Sequence, residues 1–117
     1  MNVARICICA AVMTATCMAS AAHAGGQVTA AHVLRVQISK PLGQFAFIQT
    51  DATVATPAAC STNGYWQFTV TLTSPGDSQI YAALLAAAVS GAPVVIAGTN
   101  ACSEFNTVES LAMFELD

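Results

Sequence analysis

The side chains able to do chemistry in this 117-residue chain are few. Beyond residue 24 there is one histidine, His32, set in an alternating apolar segment with no carboxylate or nucleophile beside it. A general base needs such a partner to orient and tune it, so a structural or surface role is expected for His32. No serine sits in a Gly-x-Ser-x-Gly elbow. Glu109 and Glu115 could work as a carboxylate pair, although solvent-facing positions on a last strand account for them equally. Tyr65 and Trp66, close to Cys60, could stack on a sugar or another ring, while Trp66 also suits a core position against a disulfide. A tetrahedral metal site needs four ligands, and His32 with scattered carboxylates does not supply them. No catalytic residue, metal or cofactor is therefore expected.

The N-terminal stretch changes the meaning of the cysteines. Met1 to Ala24 has the three-part layout of a secretory signal peptide, with an early charge at Arg5, an apolar core from Ile6 to Ala15 and a small-x-small site at Ala22-His23-Ala24. A membrane anchor needs roughly 20 predominantly apolar residues, and Thr14, Thr16 and Ser20 interrupt this run. Cys17 follows Thr14 and Thr16, which does not suit a lipidation site. Cleavage would remove Cys7, Cys9 and Cys17 and leave residues 25–117 as a single domain beginning at Gly25-Gly26, read as a flexible new terminus. The remaining Cys60 and Cys102 are expected to form one disulfide in an oxidising compartment. Their separation of 42 positions excludes a Cys-x-x-Cys redox pair. The predicted location is periplasmic or secreted, with no transmembrane anchor after cleavage.

Composition points to a packed domain, with 56% hydrophobic and 8% charged residues. After residue 24 the basic side chains are Arg35 and Lys40, set against six carboxylates. Two cations cannot supply the Lys and Arg cluster that phosphate binding requires, so no nucleic-acid partner is expected. The scarcity of charge makes homo-oligomerisation plausible.

Hydrophobic spacing then sets out the elements. Val28 to Ser39 alternates Leu34, Val36 and Ile38 with Arg35, Gln37 and Ser39, a half-buried strand. After the Pro41-Leu42-Gly43 turn, Gln44 to Asp51 forms a second strand with Phe45 and Phe47 on one face, and the two pair as a hairpin. Ala52 to Gly64 reads as a loop pinned by Cys60. Tyr65 to Thr73 is a central strand with Trp66, Phe68, Val70 and Leu72 inward. Ser74-Pro75-Gly76-Asp77 starts a helix that runs through Ser90, with Ile80, Tyr81, Leu84, Leu85 and Ala88 on its apolar stripe. Gly91 and Pro93 stop it. Val94 to Ile96 and Thr107 to Leu116 complete the strands, the last with Val108 inward and Glu109 outward.

The order β-β-β-α-β-β predicts a mainly β fold with one helix, a five-stranded OB-like Greek-key barrel with one disulfide. The run Tyr81-Ala82-Ala83-Leu84-Leu85-Ala86-Ala87-Ala88-Val89-Ser90-Gly91-Ala92-Pro93-Val94, with Cys60 and Trp66 before it and Cys102 after it, resembles a group of small secreted bacterial proteins of uncharacterised role. More distantly it resembles the B subunits of subtilase-cytotoxin-type toxins. That resemblance covers roughly the last half of the chain and implies a bacterial source and a disulfide-bonded OB-fold. It also implies ring assembly and binding of cell-surface glycans, without assigning contact residues here.

Two functional expectations follow. The first is an exported, non-catalytic binding module recognising a glycan or a protein partner through the barrel face or loops, with Tyr65 and Trp66 as candidate contacts. The second is a small periplasmic enzyme or enzyme inhibitor using His32 and a carboxylate brought near by folding. The first needs no missing catalytic group, and OB barrels present binding surfaces.

Overall fold

The computed structural model describes residues 25–42 and 44–117. The signal-peptide reading of residues 1–24 lies outside the described residues. Six strands and one helix follow in the order β1 (Gln27–Ala31), β2 (Val33–Ser39), β3 (Phe45–Thr50), β4 (Phe68–Thr71), α1 (Pro75–Ser90), β5 (Val94–Gly98) and β6 (Glu109–Leu116). They make one sheet in the order β1-β5-β6-β4-β3-β2. The fold is mainly β with one helix, a curled half-barrel.

Six strands replace the expected five because the first predicted strand breaks at His32. Ala30 adopts a left-handed φ of 48°, and the register slips on both sides of the break. The break lets one run of chain serve two partners. β1 pairs with β5 at one edge of the sheet, and β2 pairs with β3 at the other. Two consecutive segments on opposite edges force the sheet to curl, consistent with the right-handed twist that strands carry. The predicted β2–β3 hairpin is present, antiparallel from Arg35 opposite Gln49 to Ser39 opposite Phe45.

β4 and β6 run parallel, with Phe68 opposite Glu109 and Thr69 opposite Ser110. Parallel neighbours need a long crossover connection, which α1 and β5 supply. The helix begins as its sequence predicts. The Ser74 hydroxyl accepts from Asp77 N while the Asp77 carboxylate accepts from Ser74 N, Pro75 opens the first turn, and Gly91 closes the last with φ 69°. Leu84 and Ala87 are its buried residues, whereas Leu85, expected on the stripe, is exposed. The alanines keep the helix thin enough to lie against β2.

The core gathers Val28, Ala31 and Val33, Ala46 and Ile48, Phe68 and Val70, Leu84 and Ala87, Val94 and Ile96, and Leu111. β6 departs from strict alternation. A register shift between Ala97 and Gly98 leaves Ala112 without an opposite residue. Ahead of it Val108, Glu109, Ser110 and Leu111 are all buried, since the face opposite Glu109 is also covered, with Ser103 and Glu104 bonded to Ser110. Cys60 and Cys102 form the expected disulfide, with Cα atoms 6.1 Å apart. It joins the loop before β4 to the loop before β6. No described helix is long and apolar enough to cross a membrane.

Candidate functional site

Strand alternation divides the β2–β3–β4 sheet into two faces. Ala46, Ile48, Phe68 and Val70 face the core, so Phe45, Phe47 and Thr69 lie on the opposite face, where Phe47 and Thr69 are nevertheless buried and Phe45 is half-buried. Phe105 from the 99–107 loop meets Phe47 edge-on at 5.1 Å between ring centroids and Phe45 at 6.1 Å. Trp66 belongs to this outer cluster, 5.8 Å from Phe47, and not to the inward row expected for it. Tyr65 stands edge-on to Trp66 at 4.8 Å. The Arg35 guanidinium carbon lies 5.4 Å from the Tyr65 ring centroid, within cation–π range. Tyr65 is 43% exposed and Trp66 half-buried.

The backbone beneath the two rings is fixed by neighbouring polar side chains. Asn63 Oδ1 accepts from Tyr65 N at 2.9 Å and from Trp66 N at 2.8 Å, while Asn63 N donates to Thr107 O at 3.0 Å. On the other side Gln67 takes the place of a strand residue. Its Oε1 accepts from Thr50 N at 2.6 Å and from Thr50 Oγ1 at 2.8 Å, and its Nε2 donates to Ala52 O at 2.6 Å. β4 therefore starts at Phe68 and not at Tyr65, which frees Trp66 to turn outward. With the two rings perpendicular, one of them can stack on a flat apolar ligand face while the other ring and the guanidinium meet its rim.

The other candidates part company. His32 does meet a carboxylate, that of Asp51, with Nδ1 and Oδ2 2.8 Å apart. His32 N also donates to Asp51 Oδ1 at 2.7 Å, and Asp51 N donates to His32 O at 3.0 Å. Among the described residues the His32 ring makes no other hydrogen bond. Its place at the β1–β2 break makes it a tie across the sheet edge. The bonds from the His32 main chain and ring hold the Asp51 carboxyl below its usual value of 3.8. A depressed carboxylate contributes stability that is complete above 3.8 and is lost as pH falls through the lowered value. Urea midpoints of the parent and the Asp51→Asn variant should therefore differ near pH 6 and converge as pH falls below 3.8.

Glu109 corrects the expectation of a solvent-facing carboxylate. It is fully buried, with Oε1 accepting from Gly26 N and Asn100 N, each at 2.8 Å, and Oε2 from Ala58 N at 3.1 Å. Glu115 is exposed on β6, so the two do not form a working pair. Among the described residues no group of three or more His, Cys, Asp or Glu side chains could hold a metal ion, and no pocket opens.

The chain has no significant match among family models, curated proteins or solved structures. Of the predicted contacts, the structure brings Tyr65 and Trp66 together. Arg35, Asn63, Gln67 and Phe105 are the members that sequence reasoning missed. The turn signal Ser61-Thr62-Asn63-Gly64 was the one clue, since Asn before Gly commonly bonds the backbone two residues on.

Proposed function

We propose that this chain is an exported, non-catalytic binding module built on an OB-type barrel, with Tyr65 and Trp66 as its ligand platform and Arg35 as a polar contact at the edge. The observation that carries the reading is the array of exposed Arg35 and Tyr65 with half-buried Trp66, fixed by Asn63 beneath it and by Phe47 behind it. Aromatic and Arg side chains held rigid on a surface are the groups that dominate recognition energy, because little conformational entropy is lost when they engage.

The barrel type is supported by strand order. If β1 and β2 are counted as one bent strand, the neighbours run first-second-third-fifth-fourth-first, with the third and fifth parallel and the helix between third and fourth. That is the connectivity of a five-stranded Greek-key barrel. Export is supported by the disulfide and by the signal-like first 24 residues. A pyranose ring, with one apolar C–H face and a rim of hydroxyls, suits the platform, and a protein ligand would offer an apolar side chain with a nearby carboxylate. The same reading includes toxin-like ring assembly. Exposed Leu34 and Ile38 on edge strand β2 support self-association, which native mass measures directly.

A glycan array probed with residues 25–117 tests the ligand class. Specific binding that falls by about 10-fold or more on Trp66→Ala or Tyr65→Ala is expected, since platform residues typically contribute at least 1.4 kcal/mol. A silent array removes the sugar reading. Glycan binding unchanged by both substitutions removes the platform.

A further inference from the structure

Glu109 is a buried carboxylate whose three hydrogen bonds come from main-chain amides, and among the described residues no Lys, Arg or His pairs with it. Burial of an anion is costly unless it is compensated by donors and, best, by a cation. One of its donors is Gly26 N, at 2.8 Å. Successive backbone nitrogens are at most about 3.7 Å apart, so the nitrogen of Gly25 lies within roughly 6.5 Å of the same oxygen.

Gly25 and Gly26 are themselves buried, contrary to the flexible terminus expected from sequence. Thr56 Oγ1 donates to Gly25 O at 3.3 Å, and Gly98 N donates to Gly26 O at 2.8 Å. A Cβ on Gly25 would overlap the Gly98 carbonyl, and one on Gly26 would collide with Glu109 Oε2 and with Val54. Two glycines directly after a small-x-small site are thus packed into a slot that no larger residue fits, and the slot ends at an unpaired carboxylate.

We propose that Glu109 is the docking site for the chain's own new amino terminus, the α-ammonium group that removal of residues 1–24 creates on Gly25. This rests on the export reading. In the uncut chain the Gly25 nitrogen is a neutral amide. Hydrolysis of the Ala24–Gly25 bond by one water leaves a carboxylate on Ala24 and an ammonium on Gly25, and that ammonium becomes the counter-ion of Glu109. Processing therefore completes the buried site, and the trimmed domain is the more stable form.

The test compares three proteins: one starting at Gly25, the same protein N-acetylated, and one starting at Ala24. The Gly25 form should melt at least about 4 °C above the other two, with the gap closing in the Glu109→Gln background. Equal melting temperatures, or a gap that persists in Glu109→Gln, would overturn the proposal. Should Glu109→Gln fail to fold, the rate at which an acylating reagent modifies the α-amine of the parent decides. A rate at least about tenfold below that of a Gly-Gly-Gln peptide is expected for a docked group, and a peptide-like rate contradicts it. N-terminal sequencing of the exported protein separates the two failures. A different first residue removes the cleavage reading, while Gly25 in first place without a stability gap removes this inference alone.

Discussion

Glu109→Ala should remove a large part of the domain's stability. The substitution strands the amides of Gly26, Ala58 and Asn100, which come from three segments distant in sequence and have the Glu109 carboxylate as their acceptor. An unsatisfied buried donor costs about 1–3 kcal/mol. Some water will reach Asn100, which is exposed, so a loss of roughly 3–5 kcal/mol is expected from a domain whose whole stability is about 5–10 kcal/mol. Gly98→Ala attacks the same point from the other side, because its Cβ would overlap the carboxylate. Urea unfolding followed by circular dichroism measures both. A Glu109→Ala protein with near-parental stability would mean that the three amides find other acceptors.

The second large effect is expected on breaking the disulfide. Cys60 and Cys102 close a loop with a sequence separation of 42. In the chain-entropy model that closure contributes about 4 kcal/mol by restricting the unfolded chain. The bond also ties the loop under Tyr65 and Trp66 to the loop that carries Phe105, so its loss should loosen the platform as well as the fold. The Cys60→Ser, Cys102→Ser double variant should unfold at a markedly lower urea concentration. If it still folds, its ligand affinity should fall with it. A double variant with parental stability would place the stabilisation elsewhere.

Much of the architecture was legible because it is written in local patterns. Alternation through Phe45 and Phe47, the Ser74-Pro75-Gly76-Asp77 start and the Gly91 stop each depend on neighbours a few residues away, and the elements stand close to where those patterns put them. The failures share a different cause. Trp66 reads as inward only if the strand begins at Tyr65, and it does not, because beyond the main-chain bond from Gln67 N to Ile48 O it is the Gln67 side chain that takes the Thr50 amide. Glu109 reads as solvated because nothing adjacent in sequence can satisfy it, and its partners are backbone amides that only the folded chain assembles. His32 lacks a carboxylate nearby in sequence and finds Asp51, 19 positions on, across the strand break. Polar side chains that bond main chain from distant segments carry no periodic signature, and in this molecule they decide where the strands end.

Trp66 is the single tryptophan of the chain, so its emission reports on the proposed platform without a label. The most direct measurement is a fluorescence titration of residues 25–117 with glycans that score on the array or, lacking any, with a panel of simple sugars at millimolar concentration. A saturable change in emission, lost in Tyr65→Ala, is the result this account predicts. Emission that stays constant across every titration, including those in which binding is detected by another method, would contradict it.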